Sequence, residues 1–308
     1  MSYKKIISLI PSATEMIFAL GAEDFLLGRS HECDFPAESA SIPVCTSSSI
    51  NNELSSQAID EAVKAKVWNA LSLYHINIDL IKQLQPDLII TQDQCKVCAV
   101  HLSDLERMLM EELGYSPQII SFHPHSLSDF FVNFQELASA LNKEKEAEVM
   151  LEDWNDRIEI IKHKVKFVKN RPRIACIEWM EPLMVAGHWT PELLEFAGGE
   201  TVLSDKFNDS KYISIDQLVE ADPDGIIIAP CGFDLARTKQ ELELLLKQDA
   251  WKKLRAVEKG HVFIADGHAF FNRPGPRIID TAEILAEILQ VNQFYYGMEG
   301  VCWEQINS

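Results

Sequence analysis

The chain has 308 residues, is 47% hydrophobic and carries a formal net charge of −19, from 28 Lys+Arg against 47 Asp+Glu. That length supplies one large domain or two ordinary ones, each with its own core. The acidic excess repels phosphate backbones and anionic lipid, and no apolar run approaches the ~20 residues of a membrane helix, which argues against nucleic-acid partners and a membrane segment.

Lys4 and Lys5 before Ile6 to Ile10, with Ala19-Leu20-Gly21 further on, imitate a signal peptide. Pro11 and Glu15 interrupt that apolar stretch, and a cut there would remove the first core strand, so the start reads as mature and cytoplasmic. Lys5 to Leu9 is a buried strand. Ser12 caps a helix from Ala13 to Leu20, with Glu15 at the capping-box position and Gly21 as the stop. Leu26 to Gly28 is the next strand. Ser55 to Ala70 and Ile78 to Leu84 are helices, Asp87 to Thr91 a strand, His101 to Leu113 a helix and Gln118 to Ser121 a strand. Strands alternating with helices predict a mostly parallel sheet.

Ser128 to Val168 is helical, rich in Glu and Lys, and broken near Leu141-Asn142-Lys143. It contains no Pro or Gly, as a rigid connector requires. A second α/β half follows. Its strands are Arg173 to Ile177, Met184 to Ala186, Gly225 to Ile228 and His261 to Ile264. Its helices run from Pro191 to Gly198-Gly199, Ser214 to Ala221 and Arg277 to Leu289. The tail from Val291 holds aromatics without a clear period. Two segments say nearly the same thing: Ile78-Asp79 before Pro86-Asp87-Leu88-Ile89-Ile90, and Ile215-Asp216 before Pro223-Asp224-Gly225-Ile226-Ile227-Ile228. Such a repeat predicts two similar lobes, 1–127 and 171–308, joined by 128–170, with a cleft for a ligand.

Ligands of open α/β sheets sit beyond the carboxyl ends of the strands. The loops there hold His31, Cys33, Cys95, Cys98, His123, His125, His188, Cys231 and His268, a crowd of soft and borderline ligands that points to a metal or a metal-bearing cofactor. Trp179, Trp189, Phe270 and Phe271 add flat apolar surface for a planar ligand. The same residues also have ordinary structural uses. Cys95-x-x-Cys98 lacks a second pair to complete a four-thiol site, and His188 and His268 each follow a glycine that suits a turn. Seven cysteines, an odd number, read as thiols. No Gly-x-Ser-x-Gly elbow, Walker loop or Gly-x-Gly-x-x-Gly occurs, so no catalytic motif is recognised and nucleotide binding has no support.

The opening Ile-Ile-Ser-Leu-Ile-Pro-Ser-Ala-Thr-Glu, the Gln-Pro-Asp-Leu-Ile-Ile segment, Glu-Leu-Leu-Glu-Phe-Ala-Gly-Gly and the long connector resemble the substrate-binding proteins of vitamin B12, haem and iron-siderophore importers. The resemblance runs from about Lys4 to Leu289 and is strongest to the cobalamin-binding branch. It implies the class III fold: two Rossmann-like α/β lobes joined by a rigid helix, a ligand held between them, and only small hinge motion. Exported relatives dock to an ABC permease through surface carboxylates. On this reading the chain is a non-enzymatic binder of a small-molecule ligand, a corrinoid such as cobalamin or a related metal chelate. Ser12, Arg29, His31, Glu32, Trp179, His188, Trp189, Phe270, Phe271 and Arg273 are its expected ligand-binding residues. Arg29 and Arg273 would meet polar edges, and His31, Cys33, His188 or His268 would approach the ligand's metal. Two other readings stay open. One is a cytosolic metal carrier or metalloenzyme holding Zn or Fe on some of His31, Cys33, Cys95, Cys98, His188, Cys231 and His268, with Glu32 or Glu178 beside an open position. The other is a redox protein using Cys95 and Cys98, which needs their Cα atoms within ~7 Å.

Overall fold

The computed structural model describes residues 3–68, 73–92, 109 and 111–306. The chain divides into two units. One comprises Met1–Leu54, Glu61–Pro124 and Ser128–Leu151; the other comprises Ser55–Asp60, His125–Leu127 and Glu152–Ser308. The stretch expected as a connector is two helices, Leu127–Leu141 and Glu144–Val165. The division falls inside its second helix, Glu144–Val165, and the expected break separates that helix from Leu127–Leu141.

The first unit is built on a parallel sheet. Its strands are β1 (Ile6–Ser8), β2 (Leu26–Arg29), β5 (Leu88–Gln92) and β6 (Gln118–Phe122), in the order β2-β1-β5-β6. Ile6, Ile7, Leu88, Ile89 and Ile90 are fully buried. Strands covered on both faces read as continuous apolar runs, which is why these were legible. An antiparallel pair, β3 (Thr46–Ser48) and β4 (Tyr74–Ile76), lies apart from this sheet.

The first helix, Pro11–Ala19, starts two residues earlier than a Ser12 cap allows. Extended Ile10 precedes it, and Pro11 takes the first helical position, where a missing N–H costs nothing. Ser12 and Glu15 are buried inside the helix, so the expected capping box does not form. Gly21 follows it at φ +59.

The second unit carries a larger, mixed sheet. Its strands are β7 (Arg173–Met180), β8 (Leu183–Val185), β9 (Glu200–Thr201), β10 (Lys211–Tyr212), β11 (Gly225–Ile228), β12 (Val262–Ala265) and β13 (Trp303–Ile306). The order is β10-β8-β7-β11-β12-β13, with β9 also on β7. β7, β11 and β12 are parallel. β8, β10 and β13 run antiparallel to their neighbours. β7 continues to Met180 and returns through Glu181-Pro182 as β8. Glu178 and Trp179 thus belong to a hairpin strand and not to a loop beyond one. The aperiodic tail supplies β13.

The sequence repeat has a local physical cause. Asp87 accepts from the backbone N–H groups of Lys4 (3.1 Å) and Lys5 (3.0 Å), just ahead of β1. Asp224 accepts from the N–H of Arg173 at 2.9 Å, at the start of β7. Each also returns its own N–H to that neighbour, Asp87 to Lys5 O at 2.8 Å and Asp224 to Arg173 O at 2.7 Å. Ahead of each Pro-Asp, the helices Ile78–Leu84 and Ile215–Ala221 end on left-handed residues, Gln85 and Asp222.

Candidate functional site

In the first unit a hollow of about 80 Å³ opens at the carboxyl ends of β1, β2 and β5. Its polar lining is Ser30, Glu32, Thr46, Tyr74, Thr91 and Gln92, and its apolar floor is Leu9, Ile10, Pro11 and Ile76. The loop after β2 is tied down from several sides. The Ser30 N–H donates to Ser8 O at 2.8 Å, and the Thr46 hydroxyl donates to Ser30 Oγ at 3.1 Å. His31 Nδ1 lies 2.7 Å from Thr46 Oγ1 and His31 Nε2 3.2 Å from Glu32 Oε1. The His31 ring also meets the Tyr74 ring at 5.6 Å. The result is a small rigid rim of hydroxyls, a carboxylate and a phenol, suited to an amide or hydroxyl edge.

Two expected roles change here. Arg29 turns onto its own loop, donating from Nη1 to Ser30 O (3.1 Å) and Cys33 O (2.9 Å), instead of meeting an anionic edge. Cys33 is buried, with the Thr14 hydroxyl 3.1 Å from its sulfur. It is a packed thiol and not a ligand in an open loop. Ser12 is likewise buried in its helix. Thr46 and Tyr74 escaped sequence reading because β3 and β4 are three residues each. The alternation in Leu73 to Ile76 was the only hint.

In the second unit the expected aromatic faces are partly spent on the core. Trp189 is 4% exposed and donates from Nε1 to Phe271 O at 3.0 Å, while Phe271 is itself 2% exposed. Both are core side chains, a correction to their expected role as ligand-packing faces. Trp179 stays partly open. Its Nε1 is shared between Glu181 O (3.1 Å) and Ser56 O (3.2 Å), and its ring meets Phe233 at 5.2 Å. Phe270 lies beneath the Arg277 guanidinium at 5.6 Å. Arg273 is buried and directs Nη2 to within 3.0 Å of His268 Nε2. That ring therefore faces a cation, a poor setting for a metal ligand.

His188 keeps different company. Its Nδ1 lies 3.1 Å from His125 Nδ1, and its ring stacks on Trp189. Burial, with the neighbouring His125, pushes the His188 imidazole below its usual pKa, and Asp209 opposes this in part. Among the described residues, His125, His188 and Asp209 can bring ligand atoms within 4.8 Å of one another. Of the expected metal ligands, only His188 belongs to this group. His31 and Cys33 lie in the first unit, Cys231 is exposed, and Cys95 and Cys98 lie outside the described residues. His125 was one of the strand-end histidines, though not among the expected metal ligands, and Asp209 lay outside that pattern.

No helix among the described residues is long and apolar enough to cross a membrane. The periplasmic binding protein family matches residues 6–269. The vitamin B12-binding protein of Pectobacterium atrosepticum is 23% identical over 286 residues, covering 91% of this chain and 86% of its own length. An ABC transporter substrate-binding lipoprotein of Bacillus subtilis is also 23% identical, covering 94% and 81%. Among solved structures, the periplasmic vitamin B12-binding protein of Vibrio cholerae superposes with a TM-score of 0.66 at 21% identity, covering 94% of this chain and 97% of that one. A periplasmic haem-binding protein of Pseudomonas aeruginosa reaches 0.72 at 18% identity, covering 99% of each. Both likenesses support the class III substrate-binding fold. This family binds small ligands and delivers them to ABC permeases, and its members are not enzymes. The chain belongs to the periplasmic binding protein family.

Proposed function

We propose that this protein binds a corrinoid, or a closely related metal chelate, as cargo and without chemical change. The observation that carries the reading is the rim of Ser30, Glu32, Thr46 and Tyr74 at the strand ends of the first unit. Ligand pockets for whole small molecules span roughly 300–1,000 Å³. A hollow of about 80 Å³ admits one arm of a macrocycle and not its ring. Corrins are fringed with amide arms, each offering one acceptor and two donors. The Glu32 carboxylate and the Tyr74 and Ser30 hydroxyls suit that edge better than they suit the carboxylates that fringe a haem. The vitamin B12-binding relatives, aligned along most of the chain, support the same reading. Delivery to an ABC permease belongs to the proposal as well.

The test is a titration of chelator-treated protein with hydroxocobalamin, followed by the visible spectrum and by co-elution. Saturable binding that weakens in Glu32→Ala and Tyr74→Ala supports the reading. Saturable binding of haemin with no response to hydroxocobalamin replaces the corrinoid with a haem. Failure of both ligands to bind removes it.

A further inference from the structure

We propose that His125, His188 and Asp209 form a divalent transition-metal site on the second unit, separate from the cargo reading above. The two imidazoles present Nδ1 atoms 3.1 Å apart. Two nitrogens on one tetrahedral zinc, each at ~2.0–2.1 Å, stand about 3.3 Å apart. The pair is therefore already spaced to share a metal in place of a single bridging proton. Asp209 brings a carboxylate oxygen into the same small volume. Two imidazoles and one carboxylate are a recurrent set for zinc and for ferrous iron, and they leave a position for water.

The three residues come from separate segments, and each segment is pinned. His125 precedes Leu127, whose N–H donates to Glu192 Oε2 at 2.9 Å. His188 holds a left-handed backbone at φ +52, a conformation a bulky residue adopts only where its surroundings enforce it. The enforcement is visible. Its N–H donates to Asn208 O at 2.7 Å, and its carbonyl accepts from the Phe207 N–H at 3.1 Å. Just before it, a Cβ on Gly187 would stand 2.3 Å from Asn208 O, so the two strips of backbone touch. Just after Asp209, Ser210 accepts from the Gly187 N–H at 3.0 Å and donates to Glu178 Oε2 at 2.8 Å. The loop bearing the carboxylate is thus laced to the loop bearing the imidazole. Trp189, stacked on His188 with centroids 5.7 Å apart, walls one side with apolar surface. A strained, laced and partly desolvated imidazole pair is more than a surface turn needs, and it is what a rigid ligand set requires.

The experiment uses the full chain with Cys95→Ser and Cys98→Ser, so that this thiol pair contributes no ligand. Chelator-treated protein is titrated with Zn²⁺ by calorimetry, and with Co²⁺ by visible absorption. The expected result is one Zn²⁺ per chain, visible Co²⁺ bands of a low-coordinate nitrogen–oxygen set, and affinity lowered by more than about tenfold in His125→Gln and in Asp209→Asn. His188→Gln is the third variant, checked by circular dichroism for folding. The two others carry the test if it fails to fold. No stoichiometric Zn²⁺ uptake, or uptake that His125→Gln and Asp209→Asn leave unchanged, overturns the proposal and leaves a hydrogen-bonded histidine pair. Because the readout is metal and not corrinoid, the cargo reading can fail without touching this one.

Discussion

The Arg157 guanidinium grips the Glu283 carboxylate with two bonds, Nε to Oε1 at 2.9 Å and Nη2 to Oε2 at 2.7 Å. The same Nη2 reaches Asp280 Oδ1 at 2.6 Å. These contacts hold the second half of the Glu144–Val165 helix against the buried helix Ile278–Leu289. The Glu283 bond, with help from Asp280, drives the Arg157 pKa above its ordinary range, although burial opposes the shift. Charged hydrogen bonds contribute roughly 1.5–3 kcal/mol. Arg157→Met, which leaves Glu283 buried without this cation, should cost about 2 kcal/mol, and Arg157→Lys, which loses the fork, about 1 kcal/mol. Urea denaturation followed by tryptophan emission is the measurement. Five of the six tryptophans (154, 179, 189, 251 and 303) fall in this unit, so the signal reports it. An unchanged midpoint for Arg157→Met would rule out a stabilising role for the pair.

Glu287 is a buried carboxylate that organises the tail. It accepts from the N–H groups of Tyr296 (3.1 Å), Gly297 (3.0 Å) and Met298 (3.1 Å), and from Trp303 Nε1 at 3.2 Å. Replacement by Ala strands these donors; Trp303 is the buried one among them, and a buried donor left unsatisfied costs about 1–3 kcal/mol. Water entering the space recovers part of that. We expect Glu287→Ala to expose the segment after Phe294 to hydrogen exchange and to proteolysis, while Glu287→Gln keeps part of the network. Equal protection in wild type and Glu287→Ala would contradict this role.

The thiols sort by burial. Burial raises the Cys176 pKa to about 12 and that of Cys45 to about 11, whereas Cys231 is exposed. Native protein should alkylate rapidly at Cys231 and not at Cys45 or Cys176, as peptide mapping after a short iodoacetamide pulse will show. The sign for stability follows from proton binding. Above the unfolded-state value near 8.5, the unfolded chain releases a proton that native Cys176 keeps. The contribution of this neutral thiol is complete below that pH and is lost as pH rises toward about 12. Cys176→Ala should therefore flatten the alkaline fall in thermal stability. An identical slope in both proteins would remove Cys176 from it.

Gly187→Ala tests the laced loops. The added methyl would sit 2.3 Å from Asn208 O, and the nearest atoms are all backbone, so the two strips must part. Overpacking of this kind costs typically 1–3 kcal/mol. The variant should lower the melting temperature and weaken Zn²⁺ uptake together. A lowered melting temperature with full metal affinity would mean that the ligand set does not depend on the lacing.

Much of the fold was legible because its central strands are buried on both faces. Ile6-Ile7, Leu88 to Ile90 and Ile226 to Ile228 are apolar without interruption, and Pro-Asp marks two of the three starts. Antiparallel additions were harder. Met184 to Ala186 was read as a strand and is β8, but β10 is only two residues long, and β13 is held by Glu287, a partner further back in the chain that carries no local signal. The site was legible only as a set of loops. The strand-end rule found Glu32 and His188, but aromatic content could not separate Trp179, partly open, from Trp189, whose indole N–H is spent on Phe271 O. The rule also could not tell His188 from His268, because what separates them is a neighbour: a second imidazole in one case, a guanidinium in the other.

The twin aspartate clips have a consequence for how such a molecule changes over time. Asp87 and Asp224 each bind their neighbouring strand through backbone groups alone, so the side chains of the clipped residues are not specified. For the clip itself these positions exclude only proline, although Arg173 also donates from Nη1 to Asp222 O at 3.3 Å. A duplicated half anchored this way can keep its strand order while the loops at the opposite ends diverge. The strand-end loops of the first sheet carry a rim of hydroxyls, and the loop after β8 in the second carries His188.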